Sequence, residues 1–284
     1  VMRILDRENL ILDLEKLGFP EELREGYQRL IYQPYGMILV TGPTGSGKTS
    51  TLYTTLAKIV SPENKIITLE DPVEYQLKGV NQIQVNPKIG LTFAQGLRSI
   101  VRQDPDIILV GEIRDHETAE IAIQSALTGH LLFSTLHTND SAGAITRLLD
   151  MGVESFLLAS TLLGVLAQRL VRVICPTCKK KARPEDKLIR AMDMSSEEAA
   201  AMQFYEGEGC IECRNTGFKG RTGIFEYLSV DDDIRREIMA NADADQIRRL
   251  AIEKGLVTLR QDGWRKVKRG VTTIRDVLRV TVEG

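Results

Sequence analysis

The stretch Met37-Ile38-Leu39-Val40-Thr41-Gly42-Pro43-Thr44-Gly45-Ser46-Gly47-Lys48-Thr49-Ser50-Thr51-Leu52 decides the fold. A short apolar run reads as a strand, a glycine-rich turn follows it, and the residues beyond suit a helix. The turn matches the phosphate-binding pattern G-x-x-x-x-G-K-[ST]. Its glycines let several backbone N–H groups converge on the α- and β-phosphates, while the following helix N-terminus adds partial positive charge. Gly42 through Ser50 are therefore the candidate nucleotide-binding residues. Lys48 is expected to reach the β- and γ-phosphates, and Thr49 to offer its hydroxyl to Mg2+. ATP is the ligand this chemistry points to.

Working outward, Met37–Thr41, Ile66–Leu69, Ile107–Val110 and Leu131–Thr135 read as short strands. Helix-like runs lie between them at Thr49–Val60, Thr92–Arg102, Glu117–Leu127 and Ser141–Met151. This alternation predicts an α/β fold of the P-loop, RecA-like kind, a mostly parallel sheet covered by helices on both faces. Within Val73–Pro87, apolar and polar residues alternate from Gly79 to Asn86, a β excursion off the main sheet. Phe156–Arg169 is apolar along most of its length and is expected to be a core helix. Ile234 and Ile238, then Ile247, Leu250 and Ala251, then Ile274, Val277 and Leu278 recur at helical spacing, as core stripes of a helical subdomain do. Ser195 and Glu198 have capping-box spacing, which predicts a short helix there.

At 284 residues the chain suits one large domain with small appendages. The expected division is 1–12 as the tail of a preceding domain, 13–172 as the P-loop core, 173–229 as a cysteine module and 230–284 as a helical subdomain. The net charge of −2 gives no global pull toward nucleic acid, and aromatics make up only 5%. A nucleic-acid translocase, one rival reading, calls for a basic surface bearing aromatics. The basic clusters Lys179–Lys181 and Arg265–Arg269 read first as solvated faces, with a lipid or nucleic-acid site as the alternative. The longest weakly polar segment, Leu157–Ala167, falls far short of the roughly 20 residues that span a bilayer. No leader pattern opens the sequence, so a cytoplasmic protein is expected, reaching any membrane through partners.

Hydrolysis needs a metal, a group that orients water, and positive charge on the transferring phosphoryl group. Ile107-Ile108-Leu109-Val110-Gly111-Glu112 is an apolar strand closing on a carboxylate, a Walker B element in which Gly111 takes the place often held by aspartate. Glu112 is thus assigned to polarising the attacking water rather than to direct Mg2+ ligation. Glu70, Asp71 and Glu74 crowd one segment after another strand. Like charges so close call for a cation or an arginine among them, and Glu70 and Glu74 join the catalytic candidates. His137 follows the strand that begins after His130, and its C-terminal position places it near the γ-phosphate. For His130, at the opposite end, a structural role is as good a reading.

Cys175-Pro176-Thr177-Cys178 and Cys210-Ile211-Glu212-Cys213 contain all four cysteines of the chain. Paired C-x-x-C units point to a structural tetrathiolate Zn2+ site, closed and hence not catalytic. The intervening stretch 179–209 exceeds the usual roughly 15 to 20 residues and predicts a folded insert. Two disulfides are the alternative.

The order of these elements resembles one family, the secretion ATPases that power type II secretion and type IV pili. The resemblance rests on the P-loop, on Ile67–Tyr75 (the family's Asp box), on Arg102–Asp115 (its Walker B), on Thr128–Asn139 (its His box), on the cysteine pairs and on Gly220–Glu226. Leu162–Arg172 is most similar to the type II secretion motors, with pilus assembly ATPases close behind and pilus retraction ATPases third. The resemblance implies a homo-hexamer with ATP between subunits, driving inner-membrane platform and linker proteins of the machine; the charge and aromatic content add the expectation of no direct nucleic-acid binding. It also implies that arginines complete the site or line subunit contacts, at Arg98, Arg102, Arg114 and Arg221. Surface ion pairs are the alternative role for each. The family carries a further domain ahead of the motor, of which Val1–Asp6 resembles the tail end. Without it, nucleotide binding is expected to survive and hydrolysis to be slow. A scaffold that binds ATP without hydrolysing it is the other rival.

Overall fold

The computed structural model describes residues 13–192 and 202–281. The expectations for Val1–Asp6, for residues 1–12 and for the Ser195/Glu198 helix lie outside them. The strands in chain order are β1 (Gly36–Thr41), β2 (Ile66–Glu70), β3 (Val80–Gln84), β4 (Ile107–Val110), β5 (Leu131–Leu136), β6 (Leu162–Ile174), β7 (Lys179–Ala182), β8 (Phe204–Gly207) and β9 (Phe218–Ser229). The main sheet runs β3-β2-β4-β5-β1-β6-β9, and β7 pairs with β8 alone.

The chain divides into two interleaved units, one of residues up to Ala167 with Tyr227–Leu256, the other of Gln168–Glu226 with residues from Val257 onward. β6 and β9 pass from one unit into the other. The helical subdomain expected at 230–284 is therefore shared. Helices Asp232–Met239 and Ala244–Glu253 go with the first unit because Ile234, Ile238, Ile247 and Ala251 bury in its core, against the helices Ser155–Thr161 and Ser141–Asp150. Helices Leu259–Lys268 and Ile274–Val280 go with the second.

In the first unit β1 through β6 are parallel where paired, with Gly36 opposite Leu131, Ile107 opposite Leu131 and Ile66 opposite both Ile107 and Val80. Both faces are buried, so the strands read as continuous apolar runs. Leu39, Leu69, Ile108, Val110 and Leu132 join one core cluster with Leu97, Ile123, Ile145 and Leu158 from helices. The alternate residues Ile38, Val40, Leu109 and Phe133 are just as buried but outside that cluster, which period-2 geometry assigns to the opposite face. Helices cover both faces as the sequence predicts. Their starts are fixed by side-chain caps: Asp115 accepts from Thr118 N at 2.8 Å, and Asp140 accepts from Gly143 N at 2.7 Å. Such caps stabilise by about 1 kcal/mol each.

Two elements differ from expectation. Residues 156–169 are not one helix: a helix over Ser155–Thr161 gives way to β6, which pairs in parallel with β1. An apolar run buried all round satisfies either period, and here Gly164 favours the strand by allowing the Leu228 carbonyl within 3.1 Å of where a Cβ would stand. The alternating stretch around Val80–Gln84 is a strand, yet it belongs to the main sheet as its edge, not to an excursion off it. Alternation reports one solvated face, and an edge strand has that too.

The second unit buries Val171, Ile174, Ile224, Phe225, Val267, Ile274 and Val277. Its interior also holds two carboxylates. Asp276 accepts from Arg172 N at 2.5 Å and Nε at 2.9 Å, and Asp262 accepts from Phe225 N at 3.0 Å and Lys266 Nζ at 2.8 Å. Of the basic clusters, Lys179–Lys181 lies mostly exposed on β7, with Lys180 paired to Glu206 and Glu208, whereas Lys266 of the other is buried against Asp262. Among the described residues no helix is long and apolar enough to cross a membrane.

Candidate nucleotide and metal sites

Parallel register brings the C-terminal ends of four strands to one edge of the sheet, where ligands of such sheets bind. β1 ends at Thr41 and opens into the phosphate loop; β5 ends opposite it and leads to His137; β4 ends at Val110 beside Ser134 and leads to Glu112; β2 ends at Glu70. Hydrogen bonds stitch these ends together. Thr41 Oγ1 and Thr138 Oγ1 lie 2.7 Å apart, and Thr41 Oγ1 accepts from Thr138 N at 3.0 Å. Thr135 Oγ1 donates to the Gly111 carbonyl at 2.7 Å, and Ile113 N donates to the Thr135 carbonyl at 3.0 Å.

Gly45 and Gly47 lie at φ 80° and 92°, in the left-handed region that L side chains rarely adopt. That geometry is what turns the loop back over the helix Lys48–Ile59. Among the described residues no side chain caps the helix start and no acid stands in its first turn, so the positive end of its dipole suits an anion. Lys48 Nζ lies over the loop, donating to the carbonyls of Gly42 at 2.6 Å and Pro43 at 3.3 Å. Ser46 Oγ is buried and has no hydrogen-bond partner among the described residues. These residues fit a nucleoside triphosphate.

Glu112 lies between two cations or potential cations. Its Oε1 accepts from Arg114 at 2.6 Å, and its Oε2 lies 3.1 Å from His137 Nε2. Partial burial alone would raise its pKa, but Arg114 first and His137 second outweigh burial and hold the carboxyl below its usual range. It is therefore ionised at neutral pH, as a group that orients water must be. At Gly111, where an aspartate is common, a Cβ would stand 3.2 Å from the Leu69 carbonyl oxygen and 3.4 Å from Glu70 Cα. A side chain there would crowd the backbone of the neighbouring strand by a few tenths of an ångström.

The acidic segment departs from expectation. Glu70 is buried and is held by neutral donors rather than by a cation: Tyr53 O–H, Thr68 O–H and Gln82 N–H. Arg114 pairs with Glu112, and the charge of Asp71 is only a lesser influence on it. Glu74 is half-buried, and its N–H donates to Tyr53 Oη at 3.3 Å. Tyr53, Thr68 and Gln82 were not singled out from sequence. A tyrosine on the otherwise apolar and threonine-rich face of the phosphate-loop helix was the available signal, because a buried phenol must find a partner.

His130 precedes β5, at the end of that strand away from the phosphate loop. Its Nδ1 lies 2.8 Å from the Ser125 carbonyl, at the end of the helix His116–Leu127 and remote along β5 from the phosphate loop. Of the four arginines, Arg114 stands in the site and Arg98 pairs with exposed Glu117 at 2.6 Å. Arg102 and Arg221 are exposed, and neither has an ion pair among the described residues.

In the second unit the Sγ atoms of Cys175, Cys178, Cys210 and Cys213 lie within 4.8 Å of one another. Separations of 3.8 Å for Cys175 to Cys210, 3.8 Å for Cys178 to Cys213 and 3.7 Å for Cys210 to Cys213 are far beyond a disulfide bond. They match the edges of a tetrahedron with Zn–S bonds of about 2.3 Å, which are about 3.8 Å long. Backbone N–H groups point at the sulfurs, from Gly209 to Cys178 at 3.3 Å and from Cys210 and Gly217 to Cys213 at 3.2 and 3.3 Å. Burial opposes charge on Cys213, but these donors outweigh it and bring its thiol down to about 6. Cys178 goes the other way, pushed up to about 12 by burial and the neighbouring thiols, so the fit to Zn2+ rests on the geometry of the four sulfurs, which leaves no open position for catalysis. Gly207 and Gly217 let the knuckle close: a Cβ on Gly207 would sit 2.0 Å from the Gly217 carbonyl oxygen.

Comparison with known proteins agrees with this geometry. The model of the type II/IV secretion system protein family matches residues 1–279. The chain is 53% identical over 281 residues to the type II secretion system protein E of Xanthomonas campestris pv. campestris, covering 99% of this chain and 50% of that protein. It is 50% identical to the type IV pilus assembly ATPase PilB of Thermus thermophilus, covering 100% of this chain and 32% of that one. The chain thus spans half or less of the length of these relatives. Among solved structures, the pilus retraction motor PilT with bound ADP shares 30% identity at a TM-score of 0.73, over 99% of this chain and 69% of that one. The Legionella pneumophila ATPase DotB, 23% identical at a TM-score of 0.67 over 94% and 64% of the two chains, shares the fold. The chain belongs to the type II/IV secretion system protein family.

Proposed function

We propose that this chain is the motor portion of a Mg2+-dependent ATPase that powers type II protein secretion. The observation that carries the reading is Glu112, ionised and held by Arg114 and His137 on the sheet edge where the phosphate loop opens. ATP binds across Gly42–Ser50, Lys48 meets the β- and γ-phosphates, and Thr49 contributes its hydroxyl to Mg2+. Glu112 orients the attacking water, with His137 beside it, and Glu70 and Glu74 complete the acidic wall of the site. The working form is a homo-hexamer in which Arg98, Arg102, Arg114 and Arg221 serve subunit contacts or the neighbour's phosphates. It acts at the cytoplasmic face of the inner membrane through platform and linker proteins of the machine. Zn2+ on the four cysteines is structural.

Pilus assembly is the second reading, favoured by 50% identity to the Thermus thermophilus pilus assembly ATPase. Identities of 52 and 53% to secretion proteins do not separate the two, so complementation of secretion-defective and pilus-defective hosts does. The chemical test uses the assembled full-length protein. Glu112→Gln is expected to keep ATP binding and to lose turnover by about 100-fold or more, while Lys48→Ala loses binding as well. Intact protein that takes up no Mg·ATP in calorimetry, or whose turnover ignores Glu112→Gln, overturns the reading.

A further inference from the structure

The helix that opens at the phosphate loop carries Tyr53, five residues beyond Lys48 and thus about 7.5 Å further along the axis. Its side chain is buried at 1% exposure. Its hydroxyl donates to Glu70 Oε2 and accepts from Glu74 N at 3.3 Å, with Gln82 Nε2 at 3.4 Å. One phenolic oxygen therefore holds both ends of the acidic loop Glu70–Glu74. Gln82 on β3 closes the ring, donating to Glu70 Oε1 at 3.1 Å and to the Tyr75 carbonyl at 2.9 Å while accepting from Leu77 N at 2.7 Å. Thr68 Oγ1 also donates to Oε1, at 2.5 Å. An ionised carboxylate has about four acceptor positions. Two on Oε1 and one on Oε2 are taken, and the phenol's direction fixes where the remaining one on Oε2 lies.

We propose that Tyr53 is a positioning residue for ATP hydrolysis, whose hydroxyl sets the Glu70 carboxylate and the Glu74 backbone in register with the phosphate loop; this rests on the ATPase reading above. The helix is the only covalent path from the loop to Tyr53 and is short and rigid. A buried carboxylate left short of a donor in a low-dielectric site reorients or takes in water, so the acids lose their aim although the fold persists. Burial and the bond to Glu70 both push the phenol's own ionisation far above the usual range, so it remains a donor at any working pH. The ring also packs edge-on against Tyr75, with centroids 6.2 Å apart, and phenylalanine preserves that contact.

Tyr53→Phe in the full-length assembled protein separates the hydroxyl from the ring. Expected is a tenfold to hundredfold fall in kcat, in keeping with loss of a hydrogen bond to a charged group (about 1.5 to 3 kcal/mol). KM and the calorimetric Kd for Mg·ATP change by less than about twofold, and the melting temperature by only a few degrees. The decisive measurement is a double-mutant cycle in single-turnover rates: on a Glu70→Gln background, Tyr53→Phe should cost little further rate, because its effect runs through that carboxylate. Wild-type kcat in Tyr53→Phe overturns the proposal, as do additive losses in the cycle. If Tyr53→Phe fails to fold, Tyr53→Met, which fills the site without a hydroxyl, is read by the same cycle, with the same two results overturning it. A wild-type protein that does not hydrolyse ATP refutes the ATPase reading; one that does, with an unaffected Tyr53→Phe variant, refutes only this proposal.

Discussion

At the scale of single residues, the Glu112 cluster converts local electrostatics into a pH dependence. Arg114 and His137 hold the Glu112 carboxyl below its usual range, so the charge persists to unusually low pH. The sign follows from linkage. A carboxyl depressed in the folded state contributes stability that is present above its unfolded value and lost as pH falls through the folded one. Activity that needs the carboxylate has its acid limb at the same low position. Arg114→Ala removes the larger of the two lowering influences, although Arg114 is 66% exposed and its charge is partly screened. The acid limb of kcat is then expected to move upward, and the rate at pH 7 to fall by about tenfold, the worth of one charge-assisted hydrogen bond. A kcat profile measured from pH 4 to 8 on both proteins checks this. An unmoved acid limb means that some other group titrates there.

At the scale of elements, β6 shows where reading the sequence stops. β1, β4 and β5 were legible to within a residue or two because each apolar run is bounded by turn or polar residues, and Glu112 was legible because it closes such a run. Leu162–Ala167 is apolar at every position but Gly164, so neither period stands out, and only pairing with β1 decides for a strand. The acids were legible as a group, but the partner of Glu70 was not, since Tyr53 and Gln82 meet it from other elements. The ion pair of Arg172 with Asp276 joins residues 104 apart and left no local trace. Gly164 tests the strand assignment. A Cβ there would meet Leu30 Cδ1 at 2.8 Å, the Leu228 carbonyl oxygen at 3.1 Å and Tyr227 Cε2 at 3.2 Å. Gly164→Val therefore overpacks a site walled partly by backbone, and a loss of about 1 to 3 kcal/mol is expected. In a chain of this size that lowers the melting temperature by about 2 to 4 °C per kcal/mol, readable by calorimetry. A residue on an exposed helix face would give no such loss.

At the scale of the whole molecule, the two units are held together internally by different means. The first has a parallel sheet buried on both faces and an extensive apolar core, and it needs no ligand to close its interior. The second is smaller, buries the charged residues Asp262, Lys266 and Asp276, and draws its knuckles together around four sulfurs. Small modules with modest cores depend on a metal or another staple, and a structural Zn2+ binding free energy is folding free energy. Purified protein is therefore expected to contain about one zinc per chain and to show no reactive thiols until a chelator or denaturant exposes four. Stripping the metal should unfold the cysteine knuckles, seen as lost amide protection over 175–178 and 210–217. Uptake of Mg·ATP by the first unit should persist, because every phosphate-loop residue and its supporting core lie within that unit. Cys213→Ser is the matching substitution. Its serine oxygen is a poor replacement for the thiolate that two backbone N–H groups favour, so zinc content should drop with it. Protein with four freely reactive thiols, no metal and unchanged protection of the knuckles contradicts the structural role. Loss of nucleotide uptake on stripping contradicts the independence of the two cores.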